Sequence, residues 1–326
     1  MDRRTFTKLI ALLSLPSSRS LGAILKNPKI VVIGAGIIGT LIAYELVKKG
    51  ANVILIDKAF PASGASGHSF SWINATYPKK PYNYNLLSQL GIDAYKSLET
   101  EFNFDIKWSG SFEWFEKSSE QENLISEISA IKKYPTYTPV NLISLSEAER
   151  MEPNVYFGKN DHVVYSESDG ALDTIEAIHM IRNKFEDLGG ESIFRCEFLK
   201  LNRKNGKLKS IDTTQGIIET DHAIFACGID TDKNLDLNAS LTPTPGIILR
   251  SEPSEDLFNK IIVGPGVHIH QQKNGVIFLG EQGGAPLNHN DRLRGRPNKF
   301  PSKEFEEMHT ERIINTAKKF TTGLEN

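Results

Sequence analysis

The sequence predicts an α/β fold organised on a parallel β-sheet, and three observations carry that prediction. Lys29–Ile33 is a short β-branched run that suits a strand buried on both faces. Gly34, Gly36 and Gly39 follow at once in the order G-x-G-x-x-G and open a helix from about Ile37 to Lys49, with Gly50 past its end. A second strand, Val53–Ile56, then delivers Asp57 at its C-terminal tip.

Each of these elements has a physical reason. Gly34 lets the chain turn sharply out of the strand, Gly36 lets backbone approach a diphosphate, and Gly39 lets the helix lie against the sheet. The helix repeats apolar residues at Ile37, Ile38, Leu41, Ile42 and Leu46, which are expected to face inward. Its N-terminus offers unpaired N–H groups and the positive end of the helix dipole to an anion. Asp57 is placed to accept hydrogen bonds from a ribose diol. Strand, glycines, helix, strand and acid in this order define a dinucleotide site, although the motif alone does not separate FAD from NAD.

Composition narrows the class. At 326 residues the chain has room for a nucleotide domain and a second domain. Lys+Arg 38 against Asp+Glu 40 leaves a formal charge of -2, which gives no reason to expect a nucleic-acid partner. Hydrophobic residues at 39% and charged residues at 24% describe a globular enzyme, and no apolar run is long enough for a transmembrane span. Cys196 and Cys227 show no metal spacing and are expected to be buried free thiols, with one disulfide as the alternative. No histidine cluster suggests a metal, although His268 and His270 share one strand face.

Residues 1–27 read as an address followed by a linker. Arg3 and Arg4 precede a short apolar stretch, Leu9–Leu15, and RRTFTK resembles a twin-arginine export signal, which implies a periplasmic protein. The alternative is a basic helix that happens to carry two arginines.

After Asp57 the stretch PASGASGHSFSWINATYP has loop composition, and the Ser63 and Ser66 hydroxyls stand where they would complete a phosphate cradle. DHAIFACGID, from Asp221, reads as a buried strand ending in Ala226, Cys227 and Gly228. Taken with the first turn, these segments resemble the D-amino-acid oxidase, glycine oxidase and sarcosine oxidase family of FAD-dependent enzymes. The resemblance implies a Rossmann-like FAD/NAD(P)-binding domain with an interleaved α+β substrate domain. It implies FAD contacts at Gly34, Ala35, Gly36, Ile37, Ile38 and Gly39, and at Asp57 and Lys58. Ser63, Ala65, Ser66, Gly67 and His68 form the loop that runs toward the flavin ring, with His68 nearest it. Phe198 would offer backbone atoms to the adenine, and the Ala226–Gly228 end would pack on the dinucleotide, which favours FAD over NAD. The His68 spacing does not match the histidines that anchor flavin covalently in some relatives, so a hydrogen-bonding or packing role is expected.

The remaining elements follow the same likeness. Asn83–Phe102 has helical spacing through Leu86, Leu90, Ala94 and Leu98, and Ile106–Glu116 is expected to form a hairpin turning at Ser109–Gly110. LSEAERMEPNV, from Leu145, resembles a short family helix ending in Glu152–Pro153. Ser168–Thr174 resembles an Asp-Gly turn that starts a second long helix, capped by Asp173 or Thr174. Glu191–Leu201 reads as one strand, Gly206 as a hairpin, and residues 243–252 and 267–284 as strands of the substrate domain. Arg250 on such a strand is a candidate partner for a carboxylate, or an ordinary surface arginine.

The domain organisation expected is 28–80 with 150–240 for the nucleotide domain, 81–149 with 241–300 for the substrate domain, and 301–326 for a C-terminal helix. The family continues beyond that helix with further flavin-lining segments, so the resemblance implies either a fragment or a second polypeptide that completes the site. The activity implied is oxidation of an amine or D-amino acid to an imine by hydride transfer to flavin, with oxygen or a respiratory carrier as acceptor; a catalytically incomplete FAD-binding subunit is the alternative.

Overall fold

The computed structural model describes residues 27–74, 79–135, 140–159, 161–235, 246–282 and 300–324. The N-terminal address lies outside the described residues. The chain divides into two compact units, 1–61 with 178–234 and 62–177 with 235–326; the boundaries drawn from the sequence stood at 80 and 150.

In the first unit β1 (Lys29–Ile33) is one of the two inner strands of a four-stranded parallel sheet. β2 (Asn52–Asp57) flanks it on one side and β12 (His222–Phe225) on the other, and β8 (Glu191–Phe194) pairs with β2. A parallel sheet fed by distant segments explains the continuous apolar runs: Val31, Val32, Val53, Leu55 and Ile56 are buried. α1 (Ile37–Lys48) packs on this sheet through Gly39, Thr40, Ala43 and Tyr44. The apolar face expected for it was wrong in part, because Ile38 is 65% exposed. Close approach selects small residues for the contact, and the bulky isoleucine is turned away.

Glu191–Leu201 is two strands rather than one. Arg195 takes a left-handed φ of 55°, which ends β8 and sends the chain into β9 (Phe198–Lys204). β9 forms a separate antiparallel sheet with β10 (Lys207–Thr213) and β11 (Gly216–Glu219), and the β9–β10 turn falls at Gly206 as expected.

The second unit is built on a seven-stranded mixed sheet. In spatial order it runs β13 (Ile248–Pro253), β16 (Val276–Glu281), β15 (Val267–Gln271), β14 (Ile261–Gly264), β4 (Ser111–Glu113), β6 (His162–Ser166) and β5 (Asn141–Ser144). One face carries the apolar core, in which Phe112, Trp114, Phe157, Phe258, Ile269 and Phe320 are buried. Its helices are α2 (Tyr82–Phe102), α3 (Ser118–Ile131), α4 (Leu145–Met151) and α7 (Lys303–Ala317), the last capped by Ser302. Asp173, whose Oδ1 accepts from the N–H of Ile175 and Glu176, caps the helix α5 (Thr174–Asp187). A short helix, α6 (Asp230–Leu235), ends the first unit.

Two expectations fail here. Ile106–Glu116 does not form a hairpin: Lys107 bridges Ala171, while β4 pairs with β6 and β14. Gly110 sits at φ 79° with Ser166 O 2.9 Å from where a Cβ would stand, so the turn there feeds two separate pairings. α2 forms over the stretch expected, but its buried side chains are Asn85, Ile92 and Phe102, whereas Leu90 is 56% exposed.

Candidate functional site

The predicted nucleotide residues of the first unit converge at the C-terminal ends of β1, β2 and β12. Gly34 has φ 110°, a conformation open to glycine, and a Cβ there would stand 2.3 Å from Ala226 O. At Gly39 a Cβ would stand 1.9 Å from Gly34 O and 3.2 Å from Ala226 Cβ. Side chains at both positions are therefore excluded by backbone. Gly36 is the N-cap of α1 and has no side-chain cap, so the helix presents the positive end of its dipole at this turn.

Asp57 ties the turn to the second strand. Its Oδ2 accepts from Ala35 N at 2.8 Å and its Oδ1 from Ala59 N at 2.8 Å. Each oxygen keeps a further lone pair, so the carboxylate is held rigidly and can still accept from a ribose hydroxyl. Lys58 donates to Asp230 at 2.5 Å, a partner that sequence reasoning missed because it lies 172 residues away. That contact, ahead of an opposing desolvation, raises the lysine pKa. Cys227 donates its thiol to Ile33 O at 3.3 Å, and burial raises its pKa; Cys196 is buried, and both thiols are free. Gly228 takes φ 56° where the chain leaves the strand end. Phe198 opens β9 and meets Phe225 edge-on at 4.9 Å between ring centres, within the core shared by β1 and β2.

Ser63, Ala65, Ser66, Gly67 and His68 belong to the second unit and form a run of tight turns. A Cβ on Gly67 would stand 2.1 Å from Ala62 O, so this residue also exists to permit a close backbone crossing. His68 Nδ1 lies 2.9 Å from Gly64 O; a carbonyl accepts only, which makes Nδ1 the protonated nitrogen and leaves Nε2 for other contacts.

The face of the seven-stranded sheet opposite its apolar core is rich in aromatic and titratable groups. Arg250, Phe278 and His270 are direct cross-strand neighbours. The guanidinium lies 4.9 Å from the Phe278 ring centre and His270 stacks on the same ring at 4.8 Å. Phe70 meets His270 edge-on at 4.6 Å, and Trp72 meets His268 at 5.9 Å. Burial pushes both imidazoles down to about 4, so they are neutral. His270 Nε2 donates to Phe70 O at 2.8 Å. Farther along the same face lie two buried acids that sequence reasoning did not single out, Glu113 and Asp169. The acid in SFEWF was the available signal, since Glu113 alternates with buried Phe112 and Trp114. Among the described residues no group of three or more His, Cys, Asp or Glu could hold a metal.

A parallel sheet whose first turn is closed by glycine against backbone, with an acid at the second strand tip, has the form of a dinucleotide-binding α/β domain. Residues 29–325 match the family described as DAO, FAD dependent oxidoreductase, and the chain belongs to that family. Glycine oxidase of Pseudomonas putida is 20% identical over 270 residues, covering 78% of this chain and 70% of that protein. Monomeric sarcosine oxidase of a Bacillus species is 22% identical over 254 residues, covering 76% of this chain and 64% of that one. Among solved structures, glycine oxidase from Geobacillus kaustophilus superposes with a TM-score of 0.73 at 17% identity, covering 91% of this chain and 80% of that chain. L-proline dehydrogenase from P. horikoshii gives 0.72 at 22%, covering 90% and 79%. The chain is thus an FAD-dependent oxidoreductase, and the close-packed glycine turn of the first unit fits the group the family uses.

Proposed function

We propose that this oxidoreductase converts the C–N single bond of an amine or amino acid into an imine, which water then hydrolyses. FAD supplies a hydride acceptor for the hydrogen that leaves the substrate carbon, and the amine loses a proton to solvent. The observation that carries the reading is the Gly34–Gly39 turn, where backbone at 2.3 and 1.9 Å leaves room for glycine alone, in a chain of this family. In this reading the amides that open α1 hold the diphosphate and Asp57 holds the ribose. Arg250, fixed on Phe278, gives the sheet face a cation for a substrate carboxylate, while the neutral His268 and His270 add no competing charge. Electrons pass on to oxygen or to a respiratory carrier. The RRTFTK sequence supports twin-arginine export to the periplasm.

The test is anaerobic reduction of the FAD-loaded protein by a panel of amines and of D- and L-amino acids, followed by loss of flavin absorbance. Bleaching by one class identifies the substrate, and Arg250→Met is expected to raise KM for amino acids at least tenfold. Protein that holds FAD, is reduced by dithionite, and is bleached by no member of the panel would overturn the substrate assignment.

A further inference from the structure

The helix α2 carries a second apolar row besides the one it buries. Asn85 and Ile92 turn inward, while Tyr84, Leu87, Gly91, Ala94 and Leu98 repeat at alternating intervals of three and four on another face, and Glu101 closes the row. The start of this row stands in solvent: Tyr84 is 52% and Leu87 67% exposed, with exposed Leu90 flanking them. Ala94 and Glu101 are exposed as well. A single leucine in water needs no explanation, but a row at this spacing is the seam of a helix pair. Gly91 lies at its middle. A Cβ there would meet nothing within 4 Å, so the fold of the chain does not require glycine, which costs about 1 kcal/mol against alanine inside a helix. A second helix crossing at this point uses the missing side chain, since small residues at the contact let two helix axes come close.

The two ends of the row differ in charge. Lys79, just ahead of the helix, donates to Asn74 O at 2.7 Å and to Asn74 Oδ1 at 3.1 Å. Asn74 follows β3 (Trp72–Ile73) and in turn donates to Asp169 Oδ2 at 2.9 Å, in the turn before β7 (Gly170–Ala171), the strand that β3 pairs with. These contacts fix the Lys79 ammonium 5.8 Å from the centre of the Tyr84 ring, so the first seam position carries a positive charge. The last carries the Glu101 carboxylate.

We propose that α2 is the surface through which two copies of this chain associate, the two helices lying antiparallel with Gly91 of one copy against Ala94 of the other. Seam positions then pair Leu87 with Leu98 and Tyr84 with Glu101. Each Glu101 thereby meets the Lys79 ammonium over the facing Tyr84, twice by symmetry. A parallel pair would set Glu101 against Glu101 and Lys79 against Lys79, so charge selects the antiparallel arrangement. The contact is small. A helix of 21 residues is about 31 Å long, and one such pair buries less than about 1,200 Å2, the size of a transient interface. Association of this kind is independent of any cofactor.

Sedimentation velocity of the full chain over roughly 5 to 500 µM tests this. The weight-average mass is expected to climb from one chain toward two. Leu87→Glu and, as a second variant on the seam, Ala94→Arg should each raise the dimer dissociation constant at least tenfold. Leu142→Glu, at a leucine 46% exposed on β5, is the control and should leave it unchanged. The register is read by mild oxidation of an equal mixture of Gly91→Cys and Ala94→Cys proteins, which should yield more disulfide-linked dimer than either variant alone; the wild type, with its free Cys196 and Cys227, gives the background. A mass that stays at one chain over the whole range overturns the proposal. So does association that both seam variants leave intact, or that Leu142→Glu weakens equally. Gly91→Cys that cross-links to itself as fast as to Ala94→Cys overturns the antiparallel register.

Discussion

Gly39→Ala sets two known effects against each other. Inside a helix, alanine is preferred to glycine by about 1 kcal/mol, so propensity alone makes the variant more stable. The new methyl, however, stands 1.9 Å from Gly34 O and 3.2 Å from Ala226 Cβ, where ordinary contact begins at 3.4 Å. Relief requires the start of α1 to move about 1.5 Å from a turn whose Asp57 and Ala226 contacts hold it in place. Overpacking of this kind costs about 1–3 kcal/mol, more than propensity returns. The net expectation is a loss of about 1–2 kcal/mol in urea unfolding and an FAD dissociation constant raised at least tenfold, read by quenching of flavin fluorescence. Gly91→Ala is the control. It lies inside α2 with nothing within 4 Å of the added Cβ, so it should stabilise by up to about 1 kcal/mol and leave FAD affinity alone. If Gly39→Ala unfolds and binds like wild type, or the two variants behave alike, the steric reading of the turn is wrong.

Further outcomes follow from other residues. Glu152 is fully buried, accepts from Lys260 N at 2.5 Å, and leaves Oε2 without a partner; burial outweighs the backbone donors and lifts its pKa from 4.5 to about 7. Because the folded state favours its protonated form, this stability is complete below pH 4.5 and is lost as pH rises through 7, by about 3 kcal/mol in total; Glu152→Gln should flatten that slope in urea titrations. Asp57→Asn puts an NH2 against the N–H of Ala35 or Ala59 and should weaken FAD binding at least tenfold in fluorescence titration. Lys107→Met leaves Phe258 O and Gln271 O without their ammonium donor and should cost about 1–3 kcal/mol in thermal unfolding. Trp114→Ala, which empties a core site 1% exposed, should cost about 3–5 kcal/mol by the same assay.

The nucleotide turn was legible because everything that makes it is local or punctuated: β-branched strand, spaced glycines, helix, acid. Ala226 could also be placed, since an apolar strand ending in Ala-Cys-Gly marks itself. The Ser111–Asp169 contact was not legible, because its members are brought together only by the register of β4 against β6 and by a turn that reads equally well as a helix start. Lys58–Asp230 was hidden for the same reason. Periodicity misled in α2, where the i, i+4 spacing of leucines pointed to Leu90 as buried while Asn85 and Ile92 face inward. It misled again at Arg195, where a left-handed residue with no glycine or proline beside it divides one apparent strand into two.

The pairing of β1 with β12 sets the order in which this chain can become itself on the ribosome. Lys29 donates to Asp221 across 192 residues, and the wall that Gly34 rests on is Ala226. At ordinary elongation rates that partner emerges roughly 10–40 s after the glycines have left the exit tunnel. Throughout that interval KIVVI has no strand on its β12 side, so a nascent chain stalled before residue 220 exposes an apolar edge that a holdase would be expected to cover.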